Sequence, residues 1–337
     1  MAIKVGVIGC GYWGPNLIRN FSQIEETDMY CICDLDEKKM SSIKKTYPTV
    51  RTTGNYNDII NDPCVDAVVI STPVFSHFEL AKKSLLHNKH VLIEKPMTST
   101  VSQAEELIRL AKEKNRTLMV DHTFVYAQAI IKMKEIIKTG EIGRMYYIRA
   151  EWLNLGLLQP DVNVIWDLAT HISSIVYYVV GTEPISLNAN AGAYVRKDIP
   201  EIAHLHIKFP DNITVYVIVS WLEPKKTRTV TVVGDKKTLV YDLTNQEEQI
   251  KVYDRGVDLT KISEDVGQLR VNYRYGDIHS PNIKNIEPLQ AMCSHFTDCI
   301  LNNKNPVTDG RAGLNVVKIL EAAEQSLKNN GKEIILK

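Results

Sequence analysis

The chain has 337 residues, 44% apolar and 24% charged, the balance of a globular protein of about two domains. Lys plus Arg and Asp plus Glu number 40 each, so the formal charge is zero, which argues against a nucleic-acid binder that works through a broad basic field. No stretch approaches the roughly 18 apolar residues of a membrane span, the first residues carry no leader pattern, and the six cysteines form no Cys-x-x-Cys pair. The expectation is a cytoplasmic protein with free thiols that works off the membrane.

Up to residue 122, continuous apolar runs at Ile3–Ile8, Met29–Cys33, Val65–Ile70, His90–Ile93 and Leu118–Val120 alternate with helical patterns. Those patterns cover Trp13–Phe21, Glu37–Lys45, Asn57–Ile60, Ser76–Leu86 and Val101–Lys112. Unbroken apolar strands between helices predict a parallel sheet covered on both faces, a doubly wound Rossmann domain over residues 1–122. The first strand opens into Gly9-Cys10-Gly11-Tyr12-Trp13-Gly14, a G-x-G-x-x-G pattern at the start of a helix. Such a loop suits a dinucleotide pyrophosphate resting on the helix N-terminus. Asp34 ends the second strand, 20 residues after Gly14, where a carboxylate accepts from both ribose hydroxyls and repels a 2′-phosphate. The expected cofactor is therefore NAD, with NADP second because Lys38 and Lys39 lie close; the other reading of Asp34 is a helix cap. Ser71-Thr72-Pro73 ends the next strand at the edge where ligands bind, and His77 either faces the nicotinamide or caps and packs.

Glu94-Lys95-Pro96 follows the strand ending at Ile93, and the proline biases Lys95 toward an extended conformation. An ammonium at that edge is either a site group or half of a surface ion pair.

From residue 123 to 337 the pattern predicts an α+β domain with a large, mostly antiparallel open sheet. Its strands are Met145–Trp152, His204–Phe209, Ile213–Trp221, Thr227–Val233, Thr238–Asp242 and Gln249–Tyr253, with turns at Asp211-Asn212 and Gly234-Asp235. A helix over Ile165–Val180 interrupts them, Leu259–Ile286 reads as long loops, and Glu287–Leu301 and Arg311–Lys328 return to helix, the last able to pack on the first domain. Asp167 and His171 stand at i and i+4 on the otherwise apolar first helix, as site residues or as a satisfied core histidine. No third ligand suggests a metal. Arg149, Lys225, Lys226 and Arg228 are candidate diphosphate donors, and Trp152, Trp166 and Tyr126 either stack on a base or pack in the core. Val215, Val217 and Val219 are expected on an outer sheet face that pairs with a second copy.

In this order the motifs resemble the Gfo/Idh/MocA family of NAD(P)-dependent sugar oxidoreductases. The resemblance covers the whole chain through Gly9–Gly14, Thr72-Pro73 with His77, Glu94-Lys95-Pro96, and Asp167 with His171. It implies that Lys95 and His171 carry the chemistry with Asp167 beside them, and that the protein is a homodimer or homotetramer. Asp121-His122-Thr123-Phe124-Val125-Tyr126, Leu153-Asn154-Leu155-Gly156 and Asp161-Val162-Asn163 look like the branch acting on nucleotide-linked sugars, with Thr170 standing where that branch often has proline. The implied substrate is a UDP-N-acetylhexosamine such as UDP-N-acetylglucosamine, or its uronic acid, oxidised at C3. Its 3-keto product would be transaminated later in surface polysaccharide or lipid A synthesis. Gly9, Gly11, Tyr12, Trp13, Gly14, Asp34, Ser71, Thr72, Pro73, His77, Glu94 and Lys95 would face the cofactor. Tyr126, Arg149, Asn154, Asn163, Trp166, Asp167 and His171 would face the substrate. His171 suits the base and Lys95 the donor to the developing alkoxide; the reverse assignment is second. The alternatives are an NADPH-dependent keto-sugar reductase and a binding protein that senses NAD or sugar.

Overall fold

A computed structural model describes residues 2–156, 158–159, 162–259 and 271–336. The chain divides into two compact units, Met1–Ala127 with Ile286–Glu321, and Gln128–Asn285 with Ala322–Lys337.

In the first unit six strands form one parallel sheet: β1 (Ile3–Ile8), β2 (Thr27–Cys33), β3 (Arg51–Thr53), β4 (Ala67–Ile70), β5 (His90–Glu94) and β6 (Leu118–Asp121). Their order is β3-β2-β1-β4-β5-β6, the doubly wound arrangement. All but the exposed edge strand β3 are largely buried because α1 (Gly14–Ser22), α2 (Glu37–Thr46), α3 (Asn57–Ile60), α4 (Val74–Leu86) and α5 (Val101–Glu113) intervene and cover them. Ile8, Val68, Ile93, Leu107 and Val120 share one core cluster with Leu314 and Val317 from the chain's last helix. Asp36 caps α2 by accepting from the Lys38 backbone N–H at 2.9 Å, so the cap is Asp36 and Asp34 is left to the loop.

The second unit opens with α6 (Gln128–Lys138) and β7 (Met145–Leu155). A five-residue π-helical turn at Ile165–Ala169 leads into α7 (Thr170–Val180). β8 (Ser186–Gly192), β9 (Ile202–Lys208), β10 (Thr214–Ser220), β11 (Leu222–Gly234), β12 (Thr238–Asp242), β13 (Ile250–Leu259), β14 (Val271–His279) and a short β15 (Ile334–Ile335) complete a nine-stranded sheet. Its order is β14-β13-β12-β11-β7-β10-β9-β8-β15, antiparallel except for the β10–β7 pair. Asp211 and Asn212 both adopt positive φ, the backbone that a tight turn between β9 and β10 requires. Two further helices precede β15, α8 (Pro288–Leu301) and α9 (Gly310–Lys328), and α8 packs on α1 through a T-shaped Phe21–Phe296 pair, centroids 6.2 Å apart.

Two expectations are corrected. Residues 259–286 are not all loop: Val271–His279 pair with β13, so Tyr273–His279 form an edge strand, while 260–270 lie outside the described residues. Val215, Val217 and Val219 do not form an outer face, because strand alternation turns all three into the unit's own core. The opposite face of β10 carries the exposed Tyr216, which stacks on His206 and meets Tyr147 edge-on. Among the described residues no helix is long and apolar enough to cross a membrane.

Candidate active site

The glycine loop grows directly from β1. Gly9 has φ +101°, and a Cβ there would stand 2.1 Å from the Ser71 carbonyl oxygen; a Cβ on Gly14 would stand 2.2 Å from the Gly9 carbonyl oxygen. Side chains are thus excluded so that the loop closes against β4. At Gly11 an added Cβ meets no atom within 4 Å, so that glycine leaves the loop surface open. No side chain caps the N-terminus of α1 and its first turn holds no acid, so its N–H groups are available to a phosphate. Asp34 reaches back to the loop: its Oδ2 accepts the Cys10 backbone N–H at 2.6 Å and its Oδ1 accepts that of Asp36 at 2.8 Å. Tyr12 is 90% exposed, and Trp13 stacks beside it with centroids 6.2 Å apart. An open phosphate cradle with a carboxylate at the neighbouring strand end fits an NAD-type dinucleotide.

At the next strand end, Thr72 Oγ1 lies 2.7 Å from Ser76 Oγ, and Pro73 precedes α4 in an extended conformation. His77 is buried, with Nε2 2.7 Å from the Thr72 carbonyl oxygen and Nδ1 2.9 Å from that of Pro96. Its ring nitrogens face backbone, so His77 joins the Thr72 turn to the Lys95–Pro96 turn, which contains a cis peptide bond. Desolvation pushes the imidazole below its ordinary range, opposed by these two carbonyl contacts, which favour the charged ring. Lys95 leaves the end of β5 beside the half-buried Glu94 and the buried His77 and His122, which feel its charge. Tyr126 is placed elsewhere in this unit: it is buried against His295, centroids 5.6 Å apart, with its hydroxyl 3.2 Å from Thr308 Oγ1. Its expected role against substrate is replaced by core packing.

In the second unit the π turn places Asp167 and the start of α7 presents His171. Trp221 Nε1 donates to Asp167 Oδ2 at 3.0 Å. The His171 ring stacks on Trp152, centroids 6.1 Å apart and planes 29° apart. The Arg228 guanidinium lies 4.8 Å from the Trp152 ring centroid, donates to the Leu153 and Thr227 carbonyl oxygens at 2.9 and 3.0 Å, and bonds to Asn154 Oδ1. Burial lowers its pKa to about 10, opposed by the charge of Asp167. Arg196 lies 5.4 Å from the Trp221 ring centroid. Two indoles, two guanidiniums, a carboxylate and an imidazole therefore share one end of this sheet's helix-covered face.

The other predicted substrate residues separate. Asn163 Oδ1 accepts the Ile165 backbone N–H at 3.0 Å, and its amide bonds to Glu324, which also accepts Trp166 Nε1 at 3.2 Å. Both residues anchor the π turn to α9. Arg149 is corrected: it alternates with the inward Ile148, Ala150 and Trp152, so it stands on the sheet face away from His171, with Nε 3.7 Å from Glu151. Asp161 lies outside the described residues. Among the described residues no group of three His, Cys, Asp or Glu side chains is placed to hold a metal ion.

The sequence reading passed over Trp221 and gave Arg228 no more weight than its neighbours. A usable signal existed, since Arg228 is in phase with the buried Val230 and Val232 of β11. Asp121 carries a comparable signal, a carboxylate ending an apolar strand as Asp34 does.

Residues 3–122 match the family described as "Oxidoreductase family, NAD-binding Rossmann fold", and residues 130–240 match the GFO/IDH/MocA C-terminal domain. The uncharacterized oxidoreductase YdgJ of Escherichia coli (strain K12) is 30% identical over 264 residues, 74% of each chain. The scyllo-inositol 2-dehydrogenase (NADP(+)) IolW of Bacillus subtilis (strain 168) is 23% identical, covering 97% of this chain and 94% of its own. Among solved structures, UDP-N-acetylglucosamine 3-dehydrogenase GnnA from Acidithiobacillus ferrooxidans superposes with TM-score 0.80 at 20% identity, over 98% of this chain and 99% of that one.

Proposed function

The chain belongs to the Gfo/Idh/MocA oxidoreductase family, its first domain binding NAD, and from that premise we propose that it oxidises the C3 hydroxyl of a UDP-linked N-acetylhexosamine. The observation that carries this reading is the His171 cluster: an imidazole fixed against Trp152, with Asp167 and Arg228 alongside. GnnA, a protein of the same fold, is named for that reaction, and the buried indoles and guanidinium form the rigid backing that holds the imidazole and carboxylate for a sugar.

NAD supplies the hydride acceptor when bound. His171 takes the hydroxyl proton as general base, the role an imidazole most often fills. Lys95 donates a hydrogen bond to the oxygen as its negative charge develops. Asp167, held by Trp221, orients the substrate or the imidazole. The sugar C–H and O–H bonds break, hydride and proton leave in opposite directions, and a ketone remains. We place the enzyme in the cytoplasm as a homo-oligomer, joined through the sheet face that carries Tyr147 and Tyr216.

The test is a panel of UDP-sugars with NAD, UDP-N-acetylglucosamine first, followed by the absorbance of reduced nicotinamide and by identification of the oxidised carbon. Formation of NADH with a 3-keto product supports the assignment. NADH formed only with free sugars or inositols would overturn the nucleotide-sugar part.

A further inference from the structure

β5 ends on Glu94 and β6 on Asp121, and the parallel register makes these two residues neighbours. Asp121 is 2% exposed and accepts from several donors: Trp13 Nε1 at 2.8 Å on Oδ2, and the Thr123 backbone N–H at 3.2 Å plus the Thr123 hydroxyl on Oδ1. The Glu94 carboxyl faces Asp121 and the Lys95 backbone N–H, and its Oε2 is buried without a hydrogen-bond partner. Two facing carboxyls at neighbouring strand ends share one proton most readily, because two like charges so close repel each other. Burial first and the charge of Asp121 second hold Glu94 far above the usual carboxylate range, against the pull of Lys95. The other ionisable groups beside Lys95, His77 and His122, are both kept neutral by burial.

We propose that Asp121 is a positioning residue that ties the Gly9–Gly14 loop to the Lys95 turn, gripping the loop through Trp13 and the turn through a one-proton bond from Glu94. The tie runs from the phosphate cradle on β1 to the strand end that presents the lysine. Loosening either anchor releases both. The proposal rests on the reading of Lys95 as a site group, but dinucleotide affinity reads it out without any sugar.

The experiment measures the NADH dissociation constant by nucleotide fluorescence for the wild type, Trp13→Phe, Glu94→Ala, Glu94→Gln and the Trp13→Phe/Glu94→Ala double variant, from neutral to alkaline pH. Each of Trp13→Phe and Glu94→Ala weakens NADH about five- to tenfold, and the double variant loses no more than about twofold beyond the weaker single, since both cut one tether. Glu94→Gln, whose amide donates to Asp121 as the acid does, recovers most of that loss. The wild type weakens toward alkaline pH as Glu94 gives up its proton, and Glu94→Gln does not. Losses that multiply, a Gln variant as weak as Ala, or equal alkaline weakening in wild type and Glu94→Gln would each overturn the proposal. A wild type that binds NADH yet oxidises no sugar would instead overturn the functional reading and leave this one standing.

Discussion

The imidazole of His171 lies against the indole of Trp152, ring centroids 6.1 Å apart and planes 29° apart. Such a stack contributes on the order of 0.5–1.5 kcal/mol beyond area burial, and here it fixes the direction of a residue assigned to proton transfer. Trp152→Phe keeps an aromatic face and avoids the cavity that alanine would leave in the core. The expected result is a fall in kcat of about three- to tenfold with little change in NADH affinity, measured by steady-state kinetics and fluorescence titration.

Asp34 accepts two backbone N–H groups, one of them in the glycine loop. Its charge should therefore both shape the loop and repel a 2′-phosphate. Asp34→Ala is expected to weaken NAD about tenfold and to narrow the preference over NADP. Parallel titrations with the two cofactors decide this, and a wild type that prefers NADP would refute the role.

Arg228 is 8% exposed, and its donors serve two carbonyl oxygens and Asn154. Removing the guanidinium takes a donor from each of those half-buried acceptors. Arg228→Met should lower unfolding stability by roughly 1–3 kcal/mol per acceptor left without a donor, less what water recovers. Urea denaturation with an unchanged m-value would register it. In the same variant, a raised KM for UDP-sugar at unchanged NADH affinity would place the guanidinium at the substrate.

How far the sequence could be read depends on what each feature requires. Parallel strands buried on both faces are written as continuous apolar runs, so five strands of the first domain were legible, while the polar, exposed edge strand β3 (Arg51–Thr53) was not. Gly9 and Asp34 were legible because local backbone geometry and strand-end position dictate them. In the open sheet the decisive information is which phase of the alternation faces inward, and that depends on pairing partners far away in the chain. Arg149 and Arg228 look alike until register places one beside Glu151 on the outer face and the other over Trp152. The valines of β10 failed as an outer face for the same reason. Val271–His279 read as loop because its Tyr, Arg, Asn and Asp content is that of an exposed edge strand. The Glu94–Asp121 pair was invisible because its members lie 27 positions apart and meet only through strand pairing.

Acid should unfold the protein in steps set by its neutral histidines. Burial lowers the pKa of His90 to about 4 and that of His122 to about 3, while the unfolded chain titrates near 6.5. The unfolded state thus takes up protons first, so stability falls as pH drops below about 6.5 and levels off only below these folded values. For His90 the loss is on the order of 3 kcal/mol. Glu94 acts with the opposite sign: folding must keep it protonated, so its contribution declines as pH rises above the usual carboxylate range. Thermal midpoints measured from pH 4 to 7 should fall less steeply for His90→Gln than for the wild type.

Turnover of UDP-N-acetylglucosamine with NAD by Lys95→Ala, His171→Ala and the double variant, measured together with NADH affinity, addresses the central assignment most directly. The account predicts that each single change lowers kcat about 10²–10⁴-fold while NADH affinity stays within a few-fold, and that the double variant is little worse than the poorer single. Near-wild-type turnover in either single variant would contradict it.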